Sequence, residues 1–213
     1  MKSAVILISG RGSNMQALVA ARTGLDIRAV LSNRPDAAGL AWAAGQGLAT
    51  DVVDHKAYPS REAFDAALGD RIEALGADWI LLAGFMRIFS PGFIHRFAGR
   101  IVNIHPSLLP LFTGLHTHRQ ALAAGVRLHG CTVHFVTPTL DAGPIIVQAA
   151  VPVLEGDDED RLAARVLAAE HRIYPQAARW IAEGRVALGT DGVVRIAGSG
   201  VEGDMIISPR DAA

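Results

Sequence analysis

The residues best suited to chemistry lie at 100–110, R-I-V-N-I-H-P-S-L-L-P, and in the later run Leu140-Asp141-Ala142-Gly143-Pro144. Successive side chains of a strand point to opposite faces, so Asn103 and His105 project together while Arg100, Val102 and Ile104 point the other way. An asparagine amide can donate to a developing oxyanion, and a histidine can donate a proton near neutral pH. A carboxylate beside the imidazole would fix its tautomer and sustain its positive charge. Asp141, in a turn between two apolar runs, is the candidate for that role. The same residue types are ordinary in turns and caps, so taken alone these positions leave a catalytic and a structural reading open.

A second candidate is the loop Ser9-Gly10-Arg11-Gly12-Ser13-Asn14. It separates an apolar run from a helix-compatible stretch, where backbone N–H groups and the helix dipole can hold a phosphate. It lacks the third glycine of the dinucleotide fingerprint, so a monophosphate fits better than NAD. The competing reading is a tight turn with Ser13 or Asn14 as a helix cap. Glu170, in A-A-E-H-R-I-Y-P, is either a surface glutamate or a carboxylate able to bond two ribose hydroxyls. His116 and His118, taken with His105 and Asp141, raise a zinc site. No H-E-x-x-H element accompanies them and a helix is expected to begin near Thr117, so no metal is expected.

These positions need a scaffold, and the apolar pattern predicts one. Strand-like runs occur at 3–9, 27–32, 50–54, 78–83 and 100–104, with helical stretches at 15–21, 37–46 and 60–75 between them. That alternation predicts an α/β fold, a Rossmann-like, mostly parallel sheet with helices on both faces. Runs at 129–137 and 144–153 read as two further strands joined through the Asp141 turn, an antiparallel addition. Residues 157–183 read as a long helix, with Leu162, Val166, Ile173, Ala177 and Ile181 at helical spacing and an acidic start. Pro175 is expected to kink or interrupt it. A hairpin is expected at 184–197 and a loose tail after it. The expected division is a catalytic domain at 1–189, with a phosphate-binding half at about 1–100 and a catalytic half at about 100–189, followed by a C-terminal hairpin and tail at 190–213.

Composition narrows the field. Of 213 residues half are apolar and 19% charged, with a net charge of -1; nothing draws the chain toward nucleic acid as a polyanion. A single cysteine, Cys131, excludes an internal disulfide and reads as a buried structural thiol. The only lysines are Lys2 and Lys56, so there is no G-x-x-x-x-G-K phosphate loop and little scope for Schiff-base chemistry. The apolar run from Ala4 to Ile8 is too short for a signal peptide or a membrane span, and a cytoplasmic protein without a membrane partner is expected.

The chain resembles the folate-dependent phosphoribosylglycinamide formyltransferases. The resemblance is carried by V-I-L-I-S-G-R-G-S-N, S-R-E-A-F-D, L-L-A-G-F-M-R-I-F-S, N-I-H-P-S-L-L-P, G-L-H-T-H-R-Q, H-G-C-T-V-H-F-V, L-D-A-G-P-I-I-V-Q and E-H-R-I-Y-P, over about residues 4–185. It implies transfer of the formyl group of 10-formyltetrahydrofolate to the amine of glycinamide ribonucleotide, in purine synthesis. It further implies that Gly12, Ser13 and Asn14 hold the substrate phosphate and Glu170 its ribose hydroxyls. Met86, Arg87, Ile88 and Phe89 would line the pterin pocket, Arg61 would stand on the folate side, and Thr137, Leu140, Asp141 and Asn103 would contribute to its wall. Asn103, His105 and Asp141 would be catalytic, and a monomer or homodimer acting on small molecules would suffice. After S-L-L-P the chain departs from the pattern: Leu111-Phe112-Thr113-Gly114 stands where relatives often carry a basic residue and an aromatic-proline pair.

Three other readings compete. Methionyl-tRNA formyltransferase shares the N-x-H-P-S-L-L-P core but adds a basic C-terminal domain, which this chain is not expected to have. Formyltetrahydrofolate deformylase shares the trio, usually behind an N-terminal regulatory domain, and its water-accepting chemistry needs no phosphate loop. A non-catalytic binding module would not need all three trio positions, and all three are present.

Overall fold

A computed structural model describes residues 1–200 and Ser208. The expected loose tail falls almost wholly outside the described residues. β1 (Ser3–Ile8), α1 (Ser13–Ala20), β2 (Asp26–Ser32), α2 (Ala38–Gly45) and β3 (Thr50–Val52) open the chain. A 3-10 turn at His55–Ala57 follows, then α3 (Arg61–Ala74), β4 (Trp79–Leu82), α4 (Pro91–Arg96) and β5 (Ile101–His105). The rest is α5 (Thr117–Ala124), β6 (Leu128–Phe135), β7 (Ile145–Pro152), α6 (Glu159–Ala182), and the hairpin β8 (Val186–Leu188) with β9 (Val194–Ile196).

Seven strands form one sheet in the order β3-β2-β1-β4-β5-β6-β7. β1 to β5 are parallel, and β6 and β7 join antiparallel, as the alternation and the Asp141 turn predict. Strand order reverses direction between β1 and β4, and the crevice outside the carboxyl ends of such a pair is where open α/β sheets take ligands.

β1 shows why the sheet is buried on both faces. Ala4, Ile6 and Ile8 enter a core beneath α6, whereas Val5 and Leu7 enter a second core with Phe64, Leu68 and Ile72 of α3. Each fully buried aliphatic side chain contributes roughly 1.5–3 kcal/mol. α6 buries Leu162, Val166, Ile173, Ala177 and Ile181, the predicted stripe. Asp158 caps its first turn by accepting from the Arg161 N–H.

Two expectations are corrected. Pro175 does not interrupt α6, which runs from Glu159 to Ala182 as one helix. The lost hydrogen bond is outweighed locally by burial of Ile173, Tyr174, Ala177 and Ala178, and the Tyr174 hydroxyl donates to the Leu82 and Val102 carbonyls at 3.0 and 3.2 Å. The second correction is α4, which the periodicity did not predict. Its signal is local: Ser90 is the N-cap and Pro91 follows it inside the first turn.

Candidate active site

The carboxyl ends of β4 and β5, the first turn of α1 and the turn after β6 surround a cavity of about 650 Å³, within the range of small-molecule sites. Asn103 and His105 reach it from β5, as alternation requires, while Val102 packs into the core on the other face. His105 is 6% exposed. Its Nε2 lies 3.1 Å from the Phe112 carbonyl oxygen, which can only accept, so Nε2 carries a proton and Nδ1 is the nitrogen free to gain or lose one. Nδ1 stands 3.6 Å from Asp141 Oδ1, with both side chains 7% exposed.

Asp141 occupies its place through its backbone and its second oxygen. Its φ of 51° is left-handed, a conformation in which aspartate is among the better-tolerated residues. Oδ2 accepts from the Gly114 N–H at 2.8 Å. The turn also depends on Gly143, where an added Cβ would meet the Phe135 carbonyl oxygen at 1.8 Å. The departure at Leu111-Phe112-Thr113-Gly114 therefore serves the site through main-chain groups, the Phe112 carbonyl and the Gly114 amide. The Leu109-Pro110 bond is cis.

Asn103 has a partner that the sequence reading missed. Its register partner on β6 is His134, whose Nε2 lies 3.4 Å from Asn103 Nδ2 while its Nδ1 bonds the Phe135 carbonyl at 2.8 Å. Burial holds the His134 pKa below the usual histidine value, so a neutral ring accepts from Asn103 and orients its amide. The signal was available: Thr132 and His134 share a strand face directly across from His105 and Asn103.

At the other end, Gly12 takes φ 69° as the N-cap of α1. A Cβ there would lie 2.9 Å from Met15 Cε, the flexible end of a side chain that can shift, so it is the left-handed backbone that calls for glycine. The first helical turn leaves its N–H groups without helical partners. Asn14 is 8% exposed and its Nδ2 donates to Glu170 Oε2 at 2.7 Å. Glu170 is 6% exposed, so of the two alternatives in the sequence the surface glutamate is overturned. Burial raises its pKa, and the Asn14 bond pulls partly against that. Asn14 Oδ1 is buried with no hydrogen-bond partner among the described residues.

Asn14, Glu170, Met86, Arg87, Ile88, Phe89, Asn103, His105, Thr137, Leu140 and Asp141 all line the one cavity. Gly12, Ser13 and Arg61 do not. The first two begin the adjoining turn, and Arg61 stands exposed at the start of α3, 3.5 Å from Glu62. His116 and His118 border the cavity without forming a metal cluster. His116 is the left-handed N-cap of α5, and His118 Nδ1 lies 3.2 Å from Nε2 of buried His129. Among the described residues no three His, Cys, Asp or Glu side chains are grouped to hold a metal ion. No described helix is long and apolar enough to cross a membrane. Cys131 is buried, which pushes its thiol up to about 12 and keeps it unreactive.

Comparison with known proteins agrees with this geometry. The formyl transferase family model matches residues 1–178. The chain is 52% identical over 188 residues to a phosphoribosylglycinamide formyltransferase of Escherichia coli (strain K12), covering 86% of this chain and 89% of that protein. It is 43% identical to the enzyme of that name from Haemophilus influenzae, covering 88% and 91%. Glycinamide ribonucleotide transformylase 1 from Symbiobacterium toebii superposes with a TM-score of 0.88 at 52% identity, covering 92% and 94%. A match of this extent in sequence, fold and length leaves one assignment: the chain belongs to the formyl transferase family.

Proposed function

We propose that the protein transfers the formyl group of 10-formyltetrahydrofolate to the primary amine of N1-(5-phospho-D-ribosyl)glycinamide, giving the formylglycinamide ribonucleotide of purine biosynthesis. The observation that carries this reading is a single cavity shared by the Asn14–Glu170 pair, the apolar segment from Met86 to Phe89, and the His105–Asp141 pair. Such a cavity suits a reaction that joins a polar phosphorylated sugar to a flat apolar donor. The phosphate is assigned to the turn Gly12-Ser13-Asn14, whose amides open α1, and the ribose hydroxyls to Glu170 and the spare Asn14 oxygen. Folate is assigned to Met86, Arg87, Ile88, Phe89, Thr137 and Leu140, with Arg61 outside the cavity facing its charged tail.

The chemistry follows from what each polar group can donate. The amine attacks the formyl carbon and negative charge develops on the formyl oxygen. Asn103 Nδ2 and protonated His105 Nδ1 are the donors to that oxygen, and Asp141 sustains the imidazolium. His105 Nδ1 gives its proton to N10 of the folate as the carbon–N10 bond breaks, and the proton lost by the attacking nitrogen, taken up through Asp141, returns His105 to its charged form. Protons balance, and no metal takes part in any step. We place the protein in the cytoplasm, as a monomer or homodimer without a nucleic-acid or membrane partner, in keeping with its near-neutral charge.

The test is a formyl-transfer assay on purified protein with chelator present and either the ribonucleotide or water as acceptor. Transfer that requires the ribonucleotide supports the reading. Cofactor hydrolysis without it would assign the deformylase reaction, and silence in both would leave a binding module.

A further inference from the structure

Between β4 and α4, residues 83–90 belong to no helix or strand, yet they supply Met86, Arg87, Ile88 and Phe89 to the cavity. A segment of that kind has no ladder of its own, so its course is set by whatever bonds its backbone groups and packs its side chains. Two buried side chains outside the segment hold its ends. Ser9, just after β1 and 5% exposed, donates its N–H to the Gly84 carbonyl at 3.1 Å. The Ser9 hydroxyl accepts from the Met86 N–H at 2.8 Å and donates to Asn33 Oδ1 at 2.6 Å. At the other end Asp65 of α3, 3% exposed, accepts from the Ser90 N–H at 2.6 Å.

Between these anchors the side chains divide. Phe85 and Phe89 turn into the core and stack at 5.3 Å, with Phe93 4.2 Å beyond Phe89, whereas Met86 and Ile88 remain exposed. Asp65 is the costly member, since its Oδ1 is buried with no partner among the described residues and desolvating a carboxylate is unfavourable. A neutral acceptor would satisfy one amide with less penalty. What the carboxylate adds is a shorter, stronger, charge-assisted bond that holds Ser90 in one position.

We infer that Ser9 and Asp65 are positioning residues for folate binding, clamping the two ends of 84–90 so that Met86 and Ile88 face the cavity at a fixed spacing. Neither lines the cavity, and both act through the segment they hold. The inference rests on the reading that this segment meets the folate. It explains why S-R-E-A-F-D is part of the pattern although Arg61 stands outside the cavity: its last residue builds the wall.

Steady-state kinetics and melting curves of Asp65→Ala, Asp65→Asn and Ser9→Ala, with each substrate varied in turn, test it. Asp65→Ala is expected to raise KM for 10-formyltetrahydrofolate about tenfold, the scale of one lost charge-assisted bond. Its kcat and its KM for the ribonucleotide stay unchanged. Asp65→Asn keeps an oxygen that accepts from Ser90 but loses the charge assistance, so it and Ser9→Ala each raise the same KM by a smaller factor. A folded Asp65→Ala protein with unchanged folate KM, or with both KM values raised alike, overturns the inference. Should Asp65→Ala fail to fold, an unchanged folate KM in Ser9→Ala does so. If the wild-type protein transfers no formyl group, the proposed function fails, and calorimetric affinity for the folate in the same variants still decides this inference: equal affinity overturns it.

Discussion

The two ends of the cavity are built differently. The end with Asn14 and Glu170 is made from regular elements, the first turn of α1 against the middle of α6. The end with Met86 to Phe89 is made from irregular segments, 83–90, 111–116 and the turn at Asp141, each held by bonds from elsewhere in the chain. Regular elements fix a side chain by local geometry, so one substitution there removes one contact. Irregular segments depend on distant anchors, so a substitution that never meets substrate can still move the wall. His105 and Asp141 stand where the two constructions meet, since a strand delivers one and a turn the other.

The largest effect is expected at that junction. His105→Ala removes both a donor to the oxyanion and the bond to Phe112, and kcat should fall at least about a hundredfold. Asp141→Asn keeps an oxygen for the Gly114 amide but loses the charge beside Nδ1, and a loss of comparable size is expected. Melting temperature and single-turnover transfer check both. Near-normal turnover in either folded variant would remove it from the chemistry.

Acid should separate the two ends next. Burial, with His118 beside it, holds the His129 pKa down to about 4, against about 6.5 in an unfolded chain. The unfolded state therefore takes up a proton that the folded state refuses, and this site loses stability as pH falls from about 6.5 to about 4, by no more than roughly 3 kcal/mol. His118, His134 and His171 are lowered by burial too and act in the same sense. Glu170 runs the opposite way. Its raised pKa makes the folded state the better proton binder, so acid relieves its burial. Melting temperatures at pH 7 and pH 5 should drop for the wild type and drop less for His129→Gln. For Glu170→Gln, which has no acid gain to lose, the drop should be larger than in the wild type. Equal slopes in all three proteins would sink the assignment of opposite signs.

The same Glu170→Gln variant tests the ribose assignment. The amide can accept from one hydroxyl but not as a charged group, so KM for the ribonucleotide should rise about tenfold. KM for the folate should not move. A rise in folate KM instead would show that the two ends are not separable, and the comparison itself would need revising.

Legibility in the sequence follows the same division. The alternation of strands and helices, the stripe of α6 and the direction of Asn103 and His105 were readable because strand and helix periodicities act locally, on neighbours two to four residues apart. The Gly12 turn was readable for the same reason, since glycine at a strand-to-helix junction states its own requirement. Glu170 remained ambiguous because its exposure is decided by Asn14, 156 residues away. Ser9 and Asp65 were overlooked as site residues because each acts through a partner on another element, a relation that no spacing encodes, whereas His134 needed only the pairing of β5 with β6 to be recognised. Pro175 misled because propensity penalises it locally while burial around Tyr174 decides the outcome.

The smallest expected effect concerns Arg61, the one charged residue assigned to folate that lies outside the cavity. It is exposed and close to Glu62, and ion pairs at exposed sites contribute little, about 0.2–1 kcal/mol, because water and salt screen them. Arg61→Ala should therefore raise KM for the folate by no more than about fivefold, most at low salt and less as salt increases. Asp65→Ala, acting through a buried bond, should show no such salt dependence. If the Arg61 effect were large and insensitive to salt, the guanidinium would have to be desolvated in the complex. The segment that starts α3 would then close on the folate, and the irregular end of the cavity would extend to that helix.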